Sequence, residues 1–135
     1  MGNNQSINKL NYESMQNIIN NNTSKTNFLI INTLANDNQN CLIKNTIPAH
    51  KEADQLNDKL NNDKNVNIVI YGENSCDDSI VKKYNQLYKL GFMNLYVYIG
   101  GLFEWLLLQD IYGDEEFPTT DKIIDILKYK GKAIL

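Results

Sequence analysis

Short continuous apolar runs alternate along this chain with segments whose apolar residues recur every three or four positions. Phe28-Leu29-Ile30-Ile31 is bounded by polar residues and fits a strand buried on both faces of a parallel sheet. Val66-Asn67-Ile68-Val69-Ile70-Tyr71 is the clearest strand, rich in β-branched residues and running straight into Gly72. Leu95–Ile99 predicts a third strand, and Cys41–Ile47 a weaker extended segment that Pro48 closes. Helical spacing appears between these runs. Tyr12, Met15, Ile18 and Ile19 predict a helix over Asn11–Ile19, stopped by the polar run Asn20–Ser24. Ala53, Leu56 and Leu60 predict another over about Ala49–Asn61, and Ile80, Val81, Tyr84, Leu87 and Tyr88 a third that Gly91 ends. After Gly100-Gly101, the helix Phe103–Tyr112 carries apolar residues around most of its circumference and is expected to be largely buried. A last helix is expected over Thr120–Tyr129.

Strands alternating with helices predict an α/β fold, a central parallel sheet with helices on both faces. Ligands of such sheets bind beyond the carboxyl ends of the strands, so the loop after Tyr71 is the candidate site. A length of 135 residues fits one domain, 1–135, with its core over about 11–118. The 22 Asn are crowded into the first half, where they suit loops and carry no chemistry.

Charge narrows the partners. A net charge of -3 and a pI near 5.1 argue against nucleic acid, whose binding draws on a clustered positive surface. All 13 basic residues are Lys, so bidentate guanidinium recognition of an anion is absent. No apolar run approaches the roughly 18 residues of a membrane span, and Met1–Asn11 lacks a signal-type apolar region. The expectation is a cytoplasmic protein without a membrane partner, of undetermined oligomeric state. Met1-Gly2 followed by Ser6 matches the short myristoylation pattern, with no polybasic second anchor beside it. Cys41 and Cys76 are expected to be free thiols in a reducing compartment, and their spacing forms no metal-ligand pattern. No metal and no cofactor is expected.

The loop Gly72-Glu73-Asn74-Ser75-Cys76-Asp77 leads from a strand to a helix, where successive backbone N–H groups can surround an anion. Such a helix start is worth about 0.3–2 kcal/mol to a negative charge. It favours a thiolate at Cys76, the nucleophilic form, while Glu73, Asp77 and Asp78 oppose it by like charge. The alternative is plainer: Ser75, Asp77 or Asp78 caps the helix and Cys76 is incidental. His50, the only histidine, stands at a helix start and reads as a surface or capping residue unless the fold brings it to the loop. No phosphate-binding GK[ST] pattern follows Gly72.

In this order the pieces resemble a rhodanese-like domain over nearly the whole chain. The likeness is carried by Asn11-Tyr12-Glu13-Ser14, Leu29-Ile30-Ile31-Asn32, Ile47-Pro48-Ala49, Val69-Ile70-Tyr71 and Leu90-Gly91-Phe92. It continues through Asn94-Leu95-Tyr96-Val97-Tyr98 and, most specifically, Gly100-Gly101-Leu102-Phe103-Glu104-Trp105. The resemblance implies sulfur transfer. A cysteine directly after the central strand takes sulfane sulfur as a persulfide, loop amides cradle it, and a small sulfur-containing substrate or a thiol acceptor protein completes the reaction.

This chain departs from that pattern at three points. Gly72 stands where the nucleophile is expected, Asp77 replaces the loop arginine, and Asn32 replaces an aspartate after the first strand. Two readings follow: a thiosulfate or sulfane-sulfur transferase working through Cys76 within the loop Gly72–Asp77, or a catalytically inactive binding or regulatory module. The phosphatase chemistry related to this fold needs a loop cysteine at the start and an arginine at the end, and both are missing.

Overall fold

The apolar runs pair edge to edge, and their side-chain alternation sorts the rest of the chain onto two faces. The computed structural model describes residues 7–21 and 27–135; the myristoylation pattern and part of the Asn20–Ser24 stop lie outside them. Five strands, β1 (Lys9–Leu10), β2 (Phe28–Asn32), β3 (Thr46–Ile47), β4 (Asn67–Tyr71) and β5 (Leu95–Tyr98), form one sheet in the order β1-β5-β4-β2-β3. Every pairing is parallel, with Ile30 opposite Val69 and Ile70 opposite Val97 at the centre. The helices are α1 (Tyr12–Asn21), α2 (Ala49–Asn62), α3 (Ser79–Leu90) and α4 (Gly101–Tyr112).

Strand side chains point alternately to opposite faces, which produces two cores. Ile30, Val69, Tyr71 and Tyr98 pack with Met15 and Ile19 of α1 and with Leu102, Trp105 and Leu106 of α4. Leu29, Ile31, Ile68, Ile70 and Val97 face Leu56 of α2 and Ile80, Tyr84 and Leu87 of α3. The expected α/β architecture with a parallel sheet and helices on both faces is the one found.

Four expectations are corrected. The segment before Pro48 does not join the sheet as a whole. Asn45, at φ 72, turns the chain, so that only Thr46–Ile47 pairs with β2, while Ile43 bridges antiparallel to Thr119. The last helix is absent. Thr120 N–H donates to Leu42 O (2.8 Å), which ties this region down as irregular, bent chain, and only a short 3-10 turn remains at Ile126–Tyr129. Its inward residues Ile123, Ile126 and Tyr129 recur every three positions, the 3-10 period rather than the α period. Tyr129 is wholly buried, so the core reaches beyond residue 118. Helix α4 is buried only along one side: Leu102, Trp105 and Leu106 are inside, while Leu107 (39% exposed) and Ile111 (69%) face outward. β1 was not visible in the sequence, because two residues, Lys9 and Leu10, show no periodicity.

Trp105 links the sheet to the chain that follows α4. Its ring meets Tyr98 and Phe117 edge-on at centroid distances of 5.8 and 5.0 Å, and its Nε1–H donates to Pro118 O (3.1 Å). We expect Trp105→Ala to cost about 3–5 kcal/mol in urea unfolding, and Leu107→Ala on the outward face less than about 1 kcal/mol.

Candidate functional site

β4 delivers the loop Gly72–Asp78 to the carboxyl end of the sheet, and several independent contacts fix its entry. The buried Tyr71 hydroxyl lies 2.8 Å from Thr46 Oγ1 and accepts from Ile43 N–H (3.1 Å); burial pushes its pKa well above the ordinary phenol value. Thr33 N–H donates to Tyr71 O (3.0 Å). The next two carbonyls are taken by α4, where Leu102 N–H donates to Gly72 O (2.9 Å) and Phe103 N–H to Glu73 O (2.8 Å). Two amides that a helix start leaves unpaired are thereby satisfied by the site loop. Gly101 makes the close approach possible. It has φ +70, and a Cβ there would lie 2.7 Å from Gly72 O.

The amides of Glu73, Cys76, Asp77 and Ser79 are engaged from within. The Asp77 carboxylate folds back under Gly72: Oδ2 accepts from Glu73 N–H (3.1 Å) and from the Thr33 hydroxyl (3.4 Å), and Oδ1 from Ser79 N–H (3.0 Å) and the Ser79 hydroxyl (2.6 Å). Asn74 holds the other half. Its Oδ1 accepts from Cys76 N–H (2.9 Å), its backbone O from Asp77 N–H (3.3 Å), and its Nδ2 donates to Tyr129 O (2.9 Å). Burial alone would raise the Asp77 pKa, but the bonds from Ser79, Glu73 and Thr33 outweigh it and hold the carboxyl below its ordinary value.

Gly72 and Asp77 therefore fit one another. A Cβ at position 72 would collide with Asp77 Oδ2 and lie 2.8 Å from Thr33 Oγ1. The carboxylate fills the space that any side chain at position 72 would need.

The remaining candidates are spread out. Cys76 is exposed on the loop's outer side, and its Sγ would stand 3.7 Å from a Cβ at Gly131 of the C-terminal segment. Of the amides near this sulfur, those of Glu73, Cys76, Asp77 and Ser79 are directed to Asp77 and Asn74. Ser75 is exposed and Glu73 half-buried. Of the three capping candidates, Asp77 caps α3, while Asp78 makes no side-chain cap bond. His50 is exposed on the first turn of α2. Cys41 is wholly buried and unpaired by disulfide; burial pushes its thiol pKa up.

Asn32 earns its place through Gln39, which the sequence reading passed over. Asn32 Nδ2 donates to Gln39 Oε1 (3.0 Å) and Ile47 O (3.3 Å), and its Oδ1 accepts from Gln39 Nε2 (2.7 Å) and Leu34 N–H (3.0 Å). Gln39 Oε1 also accepts from Ala49 N–H at the start of α2 (2.9 Å). An aspartate at 32 would offer no donor to Gln39 or Ile47. The only signal of this network in the sequence is a buried-strand terminus ending in Asn rather than Asp. Among the described residues, no group of His, Cys, Asp and Glu could hold a metal, and no helix is long and apolar enough to cross a membrane.

Comparison with known proteins agrees with this fold. The sequence model of the Rhodanese-like domain matches residues 16–108. No curated protein matches. Among solved structures, the Alr3790 protein from Anabaena sp. is similar at 21% identity and a TM-score of 0.59, over 88% of this chain and 84% of that one. Ygr203w, a yeast protein tyrosine phosphatase of the Rhodanese family, is similar at 18% identity and a TM-score of 0.61, over 90% and 97%. The Saccharomyces cerevisiae single-domain sulfurtransferase RDL2 is similar at 15% identity and a TM-score of 0.54, over 87% and 100%.

Two measurements test the seat of Asp77. A depressed folded pKa means that its stabilisation is complete above the unfolded value and is lost as pH falls through the folded one. The urea-midpoint gap between wild type and Asp77→Asn is therefore expected to be open at pH 7 and to start closing below about pH 4. Gly72→Ala is expected to destabilise by about 1–3 kcal/mol. Adding Asp77→Ala should recover part of that loss, giving a coupling of about 1 kcal/mol in the double-mutant cycle.

Proposed function

The chain belongs to the rhodanese-like domain family, and from that premise we propose that it is a catalytically inactive member, a binding or regulatory module whose anion cradle is filled by its own Asp77. One observation carries this reading: the carboxylate sits against Glu73 N–H and Ser79 N–H, beneath a residue 72 that has no side chain. Sulfur transfer in this family's manner needs a nucleophile at the loop's start and amides free to stabilise negative charge on it. Here the first is Gly72. Two of the amides, Glu73 N–H and Ser79 N–H, already hold a negative charge, and a second anion beside them would meet like-charge repulsion from Asp77.

Sulfane-sulfur transfer through a Cys76 persulfide, with a small sulfur compound or a thiol protein as partner, is the competing reading. The exposure of the Cys76 thiol favours it. Phosphatase chemistry has less support, since this chain has neither a cysteine at the loop's start nor any arginine.

The assay that separates them is thiosulfate:cyanide transfer, with the Cys76 peptide weighed after incubation with a sulfane-sulfur donor. We expect wild type and Cys76→Ser to run at the same background rate, with no persulfide mass on Cys76. A wild-type rate that Cys76→Ser abolishes, together with that mass, would establish the transferase. Asp77→Ala, by emptying the cradle, should gain a thiosulfate-dependent rise in Tm at constant ionic strength that wild type lacks.

A further inference from the structure

The segment Thr119–Gly131 follows the region matched by the family model, which ends at residue 108, and lies across the loop end of the sheet. Polar contacts hold it at both ends. Thr120 N–H donates to Leu42 O (2.8 Å) and Thr120 Oγ1 accepts from Leu42 N–H (3.0 Å) at one end; Tyr129 O accepts from Asn74 Nδ2 (2.9 Å) at the other.

Apolar anchoring between those points rests on three side chains. Tyr129 is buried and Ile123 and Ile126 are half-buried against the core, while Ile124 (98%) and Leu127 (61%) stand in solvent. Hollows of about 180 and 260 Å³ remain between the segment and α4, the first beside Gln109 and Lys122, the second beside Leu106, Ile123 and Ile126. The Tyr129 hydroxyl is buried without a hydrogen-bond partner among the described residues, a cost that weakens the closed position.

Beneath the segment lies Cys41. Its Sγ donates to Asp121 O (3.4 Å) and is hydrogen-bonded with the Thr119 hydroxyl, both groups of the segment.

We propose that Thr119–Gly131 is a strap that lifts as a unit while the sheet stays folded, uncovering Cys41 and releasing Asn74, the residue that holds the Cys76 amide. A single wholly buried side chain, polar clamps and unfilled space are the marks of a segment that opens below the cost of global unfolding. The strap thereby couples the C-terminal segment to the site loop through a single side chain: Asn74 touches Tyr129 with its Nδ2 and Cys76 with its Oδ1. The coupling holds whether or not Cys76 ever carries sulfur.

The two thiols make the strap measurable in the full chain. Alkylation by iodoacetamide is followed at each cysteine by peptide mass, across urea concentrations below the unfolding transition. Cys76, already exposed, labels throughout, and a small free thiol added to the same mixture serves as the standard. Cys41 is expected to label at a rate nearly independent of urea and at least about tenfold faster than global unfolding allows. Asn74→Ala should raise the Cys41 rate about fivefold with little change in the circular-dichroism midpoint. Tyr129→Phe, which keeps the ring and removes the unpartnered hydroxyl, should lower the rate about threefold. A Cys41 rate that climbs with urea at the slope of global unfolding would make the segment part of the single cooperative core. A faster rate in Tyr129→Phe, or an unchanged one in Asn74→Ala, would equally overturn the proposal.

Discussion

A peptide chain that leaves a strand buried on both faces carries its polar groups out of a region without water, and each must be met at once. In this protein the exit from β4 meets that demand from inside the molecule. The carbonyls of Gly72 and Glu73 are taken by the first turn of α4, and the amides of Glu73, Cys76, Asp77 and Ser79 by Asp77 and Asn74. Structural satisfaction and ligand binding compete for such donors, and at these four amides satisfaction has taken them.

The architecture was legible because it rests on the hydrophobic pattern. Ile68-Val69-Ile70-Tyr71 can be placed between two helical layers from its composition alone, and Gly91 marks the end of α3 where the periodicity stops. What escaped depends on partners far away in the chain. Lys9–Leu10 is a strand because β5 offers it an edge, and the residues after Phe117 are held out of a helix where Leu42 pairs with Thr120. A period of three in Ile123, Ile126 and Tyr129 was present to be read, but it differs too little from the helical period to decide between the two over so short a stretch.

At the site, the departures from the family pattern were visible one by one, and their relation was not. Gly72 and Asp77 appear in the sequence as two separate losses, of a nucleophile and of a cation. In three dimensions they are one arrangement, since the absent side chain and the inward carboxylate occupy the same space. Asn32 behaves likewise: its exchange for aspartate has meaning only beside Gln39, whose amide needs both a donor and an acceptor opposite it. Spacing along a chain reports neither kind of complementarity.

The interlock at Gly72 also bears on which substitutions the loop admits. A side chain placed at position 72 would enter occupied volume, and removing Asp77 first would strip α3 of its cap and leave Glu73 N–H without its acceptor. Each single step begins with a loss. The two positions therefore vary as one unit, like two halves of a lock that open only when both are turned together.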